Sequence, residues 1–210
     1  RLNAAGRIGE ATDEYERALA LRPHSAALLA ELGQLQRRQG NLPQASEYLG
    51  RALELAPDDP LAGHQLGLTL EAAGNAEDAL AVLRHAAEAA TRTQKGTAAL
   101  FHDYGRLSLA RAEEAEHRGF AHALKPALPA ERRGLLSASV KAFRAALARD
   151  PEHVEARLLL GRAYEAEGNH SAALETYERA LPMSKGQPTS GVVGDARATS
   201  VARDLNRGLA

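Results

Sequence analysis

The chain has 210 residues, a formal charge of −1, 4% aromatic residues and neither Trp nor Cys. Without cysteine there are no disulfides, thiolate metal sites or cysteine nucleophile. The near-zero charge gives no global attraction to nucleic acid or anionic lipid, and no apolar run is long enough to cross a bilayer.

The first element carries Gly6, Ala11, Tyr15, Ala18, Leu21 and Pro23 and reads as a helix with no partner ahead of it, a half repeat over residues 1–25. The true beginning of the protein is therefore expected upstream of Arg1. Residues 26–59 form a complete unit. Leu28, Leu29, Leu32, Gly33 and Gln36 share one face of a first helix, which stops at Gly40-Asn41. Glycine tolerates the left-handed conformation that ends a helix, and Asn41 can cap the next turn. A second helix follows with Ala45, Tyr48, Leu49, Ala52, Leu53 and Leu55, and Pro57 blocks its continuation. Residues 60–93 repeat the scheme with Leu66, Gly67, Gly74-Asn75, Ala79, Leu83 and Ala86, but Thr91 replaces the closing proline and weakens the stop.

Gly6, Gly40 and Gly74 are spaced by 34 residues, as are Gly134 and Gly168. A fixed period of this length marks stacked helical hairpins. Gly74 and Gly134 are 60 apart, however, so the phase slips by 26: four before Gly105 and 22 after it. The spacing predicts one long helix over 97–118 ending at Gly119, and a partner over 129–150 begun by Pro129. Eleven extra residues on each arm amount to about three turns. The expectation is an elongated hairpin over 97–151, tipped by Phe120 to Pro126. The last unit, 154–185, has Leu160, Gly161, Tyr164, Gly168-Asn169, Ala173, Tyr177 and Ala180. Residues 186–210 read as linker plus a terminal helix over 196–207, capped by Asp195, with Ala198, Val201, Ala202 and Leu205 on the face that covers the stack.

The pairs Leu32-Gly33 and Leu66-Gly67, the mid-repeat glycines, the alanines Ala45, Ala79 and Ala173, and Ala52, Ala86 and Ala180 recur at fixed spacing with a terminal Pro23 or Pro57. In these positions the chain resembles the tetratricopeptide repeat family over roughly residues 1–185. The bulky aromatic that often opens the family's first helix is missing, since Leu29, Gly63 and Arg157 stand there, which predicts looser first-helix packing. The resemblance implies an all-α, right-handed α-solenoid of helix-turn-helix hairpins, with first helices lining the concave face. It then assigns the partner-binding surface to Glu31, Gln34 and Arg38, to His64, Gln65 and Leu68, to His102, Asp103 and Arg106, and to Leu159 and Arg162. This mixed-sign stripe, to which Leu61 and Glu155 also belong, suits an extended peptide or a partner helix. One subset of the family grips chaperone C-terminal carboxylates with Asn and basic residues. Here Glu31 and Gln65 replace the Asn, and Ala30 and His64 the basic residues, so an acid would repel that carboxylate.

The eight histidines are scattered and read as surface residues. Glu113 and His117 have the i, i+4 spacing of helical ligands, but no third ligand accompanies them. No nucleophile elbow, Gly-rich phosphate loop or metal signature is present. Neutral charge and only four lysines argue against reading RNA. The expectations are therefore a protein or peptide partner, no cofactor, no metal, no catalysis and no membrane insertion. An excess of 22 Arg over four Lys points to a bacterial source, in either cytoplasm or periplasm. Self-association through the N-terminal end of the stack is a further expectation. The rival reading is a non-catalytic accessory segment of a larger enzyme, such as a glycosyltransferase or sulfotransferase.

Overall fold

The computed structural model describes residues 8–121 and 129–184. Among the described residues there are nine helices and no strand: α1 (Ile8–Leu21), α2 (Ala26–Arg38), α3 (Leu42–Leu55), α4 (Pro60–Ala72), α5 (Ala76–Thr93), α6 (Ala98–Ala121), α7 (Pro129–Arg149), α8 (Val154–Ala166) and α9 (His170–Ser184). Two compact units divide the chain, Arg1–Leu100 and Phe101–Ala210. The terminal helix expected over 196–207 and most of the expected hairpin tip lie outside the described residues.

The turns inside the hairpins follow from glycine and asparagine. Gly40, Gly74 and Gly168 adopt φ of +84°, +84° and +81°, where a side chain is disfavoured. The next backbone N–H, of Asn41, Asn75 or Asn169, returns to the carbonyl of Gln36, Leu70 or Tyr164 at 2.8–2.9 Å. This six-to-one bond closes a Schellman turn and satisfies an orphan carbonyl. The expected side-chain cap holds only at Asn169, whose Oδ1 accepts from the Ala172 N–H. Asn41 instead donates to Gln36 Oε1 at 2.8 Å, and neither Asn41 nor Asn75 makes a side-chain cap. The first helices are capped by Ser25, Asp59, Thr97 and His153, each accepting from a backbone N–H of the first turn.

Each hairpin is closed by a knob entering a glycine. A Cβ placed on Gly33 or Gly67 would lie 2.5 Å from Cγ of Leu49 or Leu83, and one on Gly105 would lie 2.8 Å from Phe143. Gly161 meets the Tyr177 ring in the same way. The alanines pack flat: Ala45, Ala52, Ala79, Ala86, Ala173 and Ala180 are all buried. First-helix packing is tight at two of the three positions where the family's aromatic is missing. Leu29 is buried in a cluster with Ala52 and Ala62, and a Cβ on Gly63 would lie 2.8 Å from the Ala86 methyl. Leu29 and Gly63 thus solve the same packing problem with smaller volumes.

Pro57 lies just beyond the end of α3, whereas α5, with Thr91 in its place, runs on for 18 residues. The hydroxyls of Thr91 and Thr93 donate to Ala87 and Ala89 carbonyls at 2.8 Å, and the helix ends at Gln94 with φ of +57°. The elongated hairpin is present. Its first arm, α6, has 24 residues against 13 in α2, α4 and α8, and runs past Gly119 to Ala121. Its second arm, α7, has 21 residues against 14 in α3, so the lengthening is unequal. Gly134 is not a turn glycine: it lies within α7, where the inserted residues carry the helix straight through that position.

Candidate protein-interaction surface

In the first unit, α2 and α4 lie side by side, and Arg37 Nε donates to Gln65 Oε1 across them at 3.2 Å. Of the residues expected there, Glu31 and Arg38 are exposed, while Gln34, Gln65 and Leu68 are half-buried. His64 is only 6% exposed and belongs to the packing between helices. Leu61, one turn earlier on α4, is 56% exposed and offers apolar surface.

In the second unit the neighbouring first helices are α6 and α8. Arg162 and Glu113 join them by two parallel bonds, Nε to Oε1 and Nη2 to Oε2, both 2.8 Å. This fork geometry fixes the guanidinium as well as its charge. Arg162 remains exposed, whereas Asp103, Arg106 and Leu159 are half-buried. Arg106 Nε stands 3.9 Å from Asp103 Oδ1. His102 is 8% exposed, so it too leaves the presented surface. Its ring stacks on His153 at 4.8 Å and tilts against Phe143 at 6.3 Å.

The expectation that the histidines are surface residues therefore fails at His64 and His102. Periodicity places them on an inward stripe but cannot say how closely a neighbouring hairpin approaches. A usable signal did exist for His153, which stands where Ser25 and Asp59 cap their helices. Two tyrosines mark the packed backs of the hairpins. The Tyr177 hydroxyl donates to Glu165 Oε2 at 3.2 Å, and burial followed by the Glu165 charge raises its phenol far above the usual range. Tyr48 is raised more mildly, first by burial and then by Glu16 and Glu47.

Among the described residues no helix is long and apolar enough to cross a membrane. A tetratricopeptide repeat family model matches residues 2–66, and a second one of the same description matches residues 127–188, together more than half of the chain. No curated protein matches. Solved structures share the fold at low identity. A crystal structure of MamA is 19% identical with a TM-score of 0.63, covering 86% of this chain and 90% of its own. MamA from Desulfovibrio magneticus RS-1 is 18% identical with a TM-score of 0.61, covering 88% and 89%. The Cut9–Hcn1 hetero-tetramer of the APC/C is 16% identical with a TM-score of 0.58, covering 94% of this chain and 33% of its own. Glycine-seated knobs, Schellman turns at Gly-Asn and two matching repeat models carry one conclusion: the chain belongs to the tetratricopeptide repeat family, an all-helical interaction-scaffold fold.

Proposed function

We propose that the chain is a non-catalytic scaffold whose first-helix faces, α2 with α4 in one unit and α6 with α8 in the other, bind a peptide or partner helix. The assembly it serves is a bacterial multiprotein complex. One observation carries this reading. The Arg37–Gln65 and Arg162–Glu113 pairs hold neighbouring first helices side by side, while Arg38, Leu61 and Arg162 stay accessible. A surface fixed before binding loses little conformational freedom on association. A peptide filling one such face would bind with micromolar affinity, about −8 kcal/mol.

The test is affinity capture from a bacterial extract, repeated with Arg38→Glu and with Arg162→Glu. Each reversal leaves the helices intact and lowers recovery of the captured partner by tenfold or so, roughly 1.4 kcal/mol. Equal recovery by both variants would remove these faces from the binding surface. A second reading rests on α1. Its Tyr15 is half-buried, whereas the corresponding Leu49, Leu83, Phe143 and Tyr177 are buried in glycine-floored seats. This face supports self-association, and a sedimentation profile independent of concentration would dismiss it.

A further inference from the structure

We propose that the start of α8 is an acid-sensitive switch in the second unit, because His153 caps that helix only while its ring is neutral. The Ala156 N–H donates to His153 Nδ1 at 3.3 Å. A backbone N–H can only donate, so the ring nitrogen facing it must offer a lone pair. Protonation at Nδ1 removes that lone pair and sets donor against donor. It also places a positive charge at a helix N-terminus, where the macrodipole disfavours it. The corresponding caps of the first unit do not share this weakness. Ser25 accepts from the Leu28 N–H, and Asp59 accepts from the Leu61 and Ala62 N–H groups. A hydroxyl does not titrate and carboxylates ionise near pH 4, whereas histidine is the side chain that changes charge between about pH 5 and 8.

The cap is packed against α6. The His153 ring stacks on that of His102 with centroids 4.8 Å apart. Asp103 Oδ1 and Glu155 Oε2 stand 3.3 Å and 3.7 Å from the two nitrogens of His102. Before the cap, Asp150 Oδ1 accepts the Glu152 N–H, and Arg149 on α7 lies over the Phe101 ring. After it, Arg157 donates to the Pro151 carbonyl. Two histidines this close share their titration, so each is tested with the other replaced. The consequence for binding rests on the function proposed above. Because α8 carries Leu159 and Arg162, uncapping loosens the α6–α8 face in acid and spares the α2–α4 face.

Nitrogen-15 NMR of the full chain between about pH 8 and 5 reads the switch without any partner. The Ala156 amide resonance is expected to move with the His153 ring titration, while the Leu28 and Ala62 amides stay still. His153→Asn supplies a cap that does not titrate, keeps the fold by circular dichroism and removes the Ala156 transition. In urea, lowering the pH from about 7.5 to 5.5 destabilises the unaltered chain relative to His153→Asn by about 2–30-fold in the unfolding equilibrium constant. His102→Gln leaves the Ala156 transition in place. An Ala156 amide that stays still across the range would overturn the proposal, as would loss of its transition in His102→Gln or equal acid responses of the unaltered chain and His153→Asn. A transition at Ala156 with partner capture unchanged in acid supports the switch and counts against the α6–α8 face as the binding surface.

Discussion

Replacing Gly67 by Ala sets two effects of known sign against each other. In the interior of a helix the substitution alone gains about 0.8–1 kcal/mol, because alanine loses less backbone freedom. At Gly67, however, the new Cβ would lie 2.5 Å and 2.6 Å from Cγ and Cδ2 of Leu83, whose side chain is fully buried at 0% exposure. Real carbons do not approach so closely, so Leu83 or the α4–α5 spacing must give way. Overpacking of this kind costs about 1–3 kcal/mol. The expected net is a loss of roughly 0–2 kcal/mol by difference. The control is Gly134→Ala, where the added Cβ meets nothing within 4 Å and φ is not positive. That variant should gain nearly the full propensity term. Thermal melts followed by circular dichroism should separate the two variants by several degrees, at about 2–4 °C per kcal/mol for a chain of this size. The Gly67→Ala, Leu83→Ala double variant should be more stable than the sum of the singles by about 0.5–3 kcal/mol, since the two share one space. Gly67→Ala matching or exceeding Gly134→Ala would refute the close-contact reasoning.

Asp59→Ala removes the acceptor for the Leu61 and Ala62 N–H groups and should cost about 1 kcal/mol by chemical denaturation. Gly168→Ala forces a side chain to φ of +81° and should cost on the order of 1–2 kcal/mol, although its Cβ would meet open space. Arg162→Glu breaks an ion pair whose arginine is 52% exposed and whose glutamate is 29% exposed, so it should cost on the order of 1 kcal/mol, and any larger loss of partner capture reports on binding. Tyr177, with a phenol raised above its ordinary value of 10.0, contributes stability that is complete below that value and falls as pH rises beyond it. Absorbance titration at alkaline pH should show one late-ionising tyrosine, missing in Tyr177→Phe. Early ionisation of all tyrosines in the folded chain would contradict that burial.

Much of the fold was legible because its determinants are local and repeat. A glycine at the end of a helix, an asparagine after it and a small residue sixteen positions before a knob leave their marks in sequence, whatever the neighbours do. The slip of 26 residues likewise announced long arms, since only paired helices can absorb many added residues and stay face to face. The division of that slip between the arms was not legible, because periodicity counts the added residues without saying which arm takes them. The candidate surface was only partly readable. Glu31, Arg38 and Arg162 are exposed as the register requires, but His64 and His102 share that register and are buried. Register fixes the direction in which a residue leaves its own helix. Whether water, a phenyl ring or a carboxylate from another hairpin stands there depends on inter-helix distance, and only tertiary packing sets that distance.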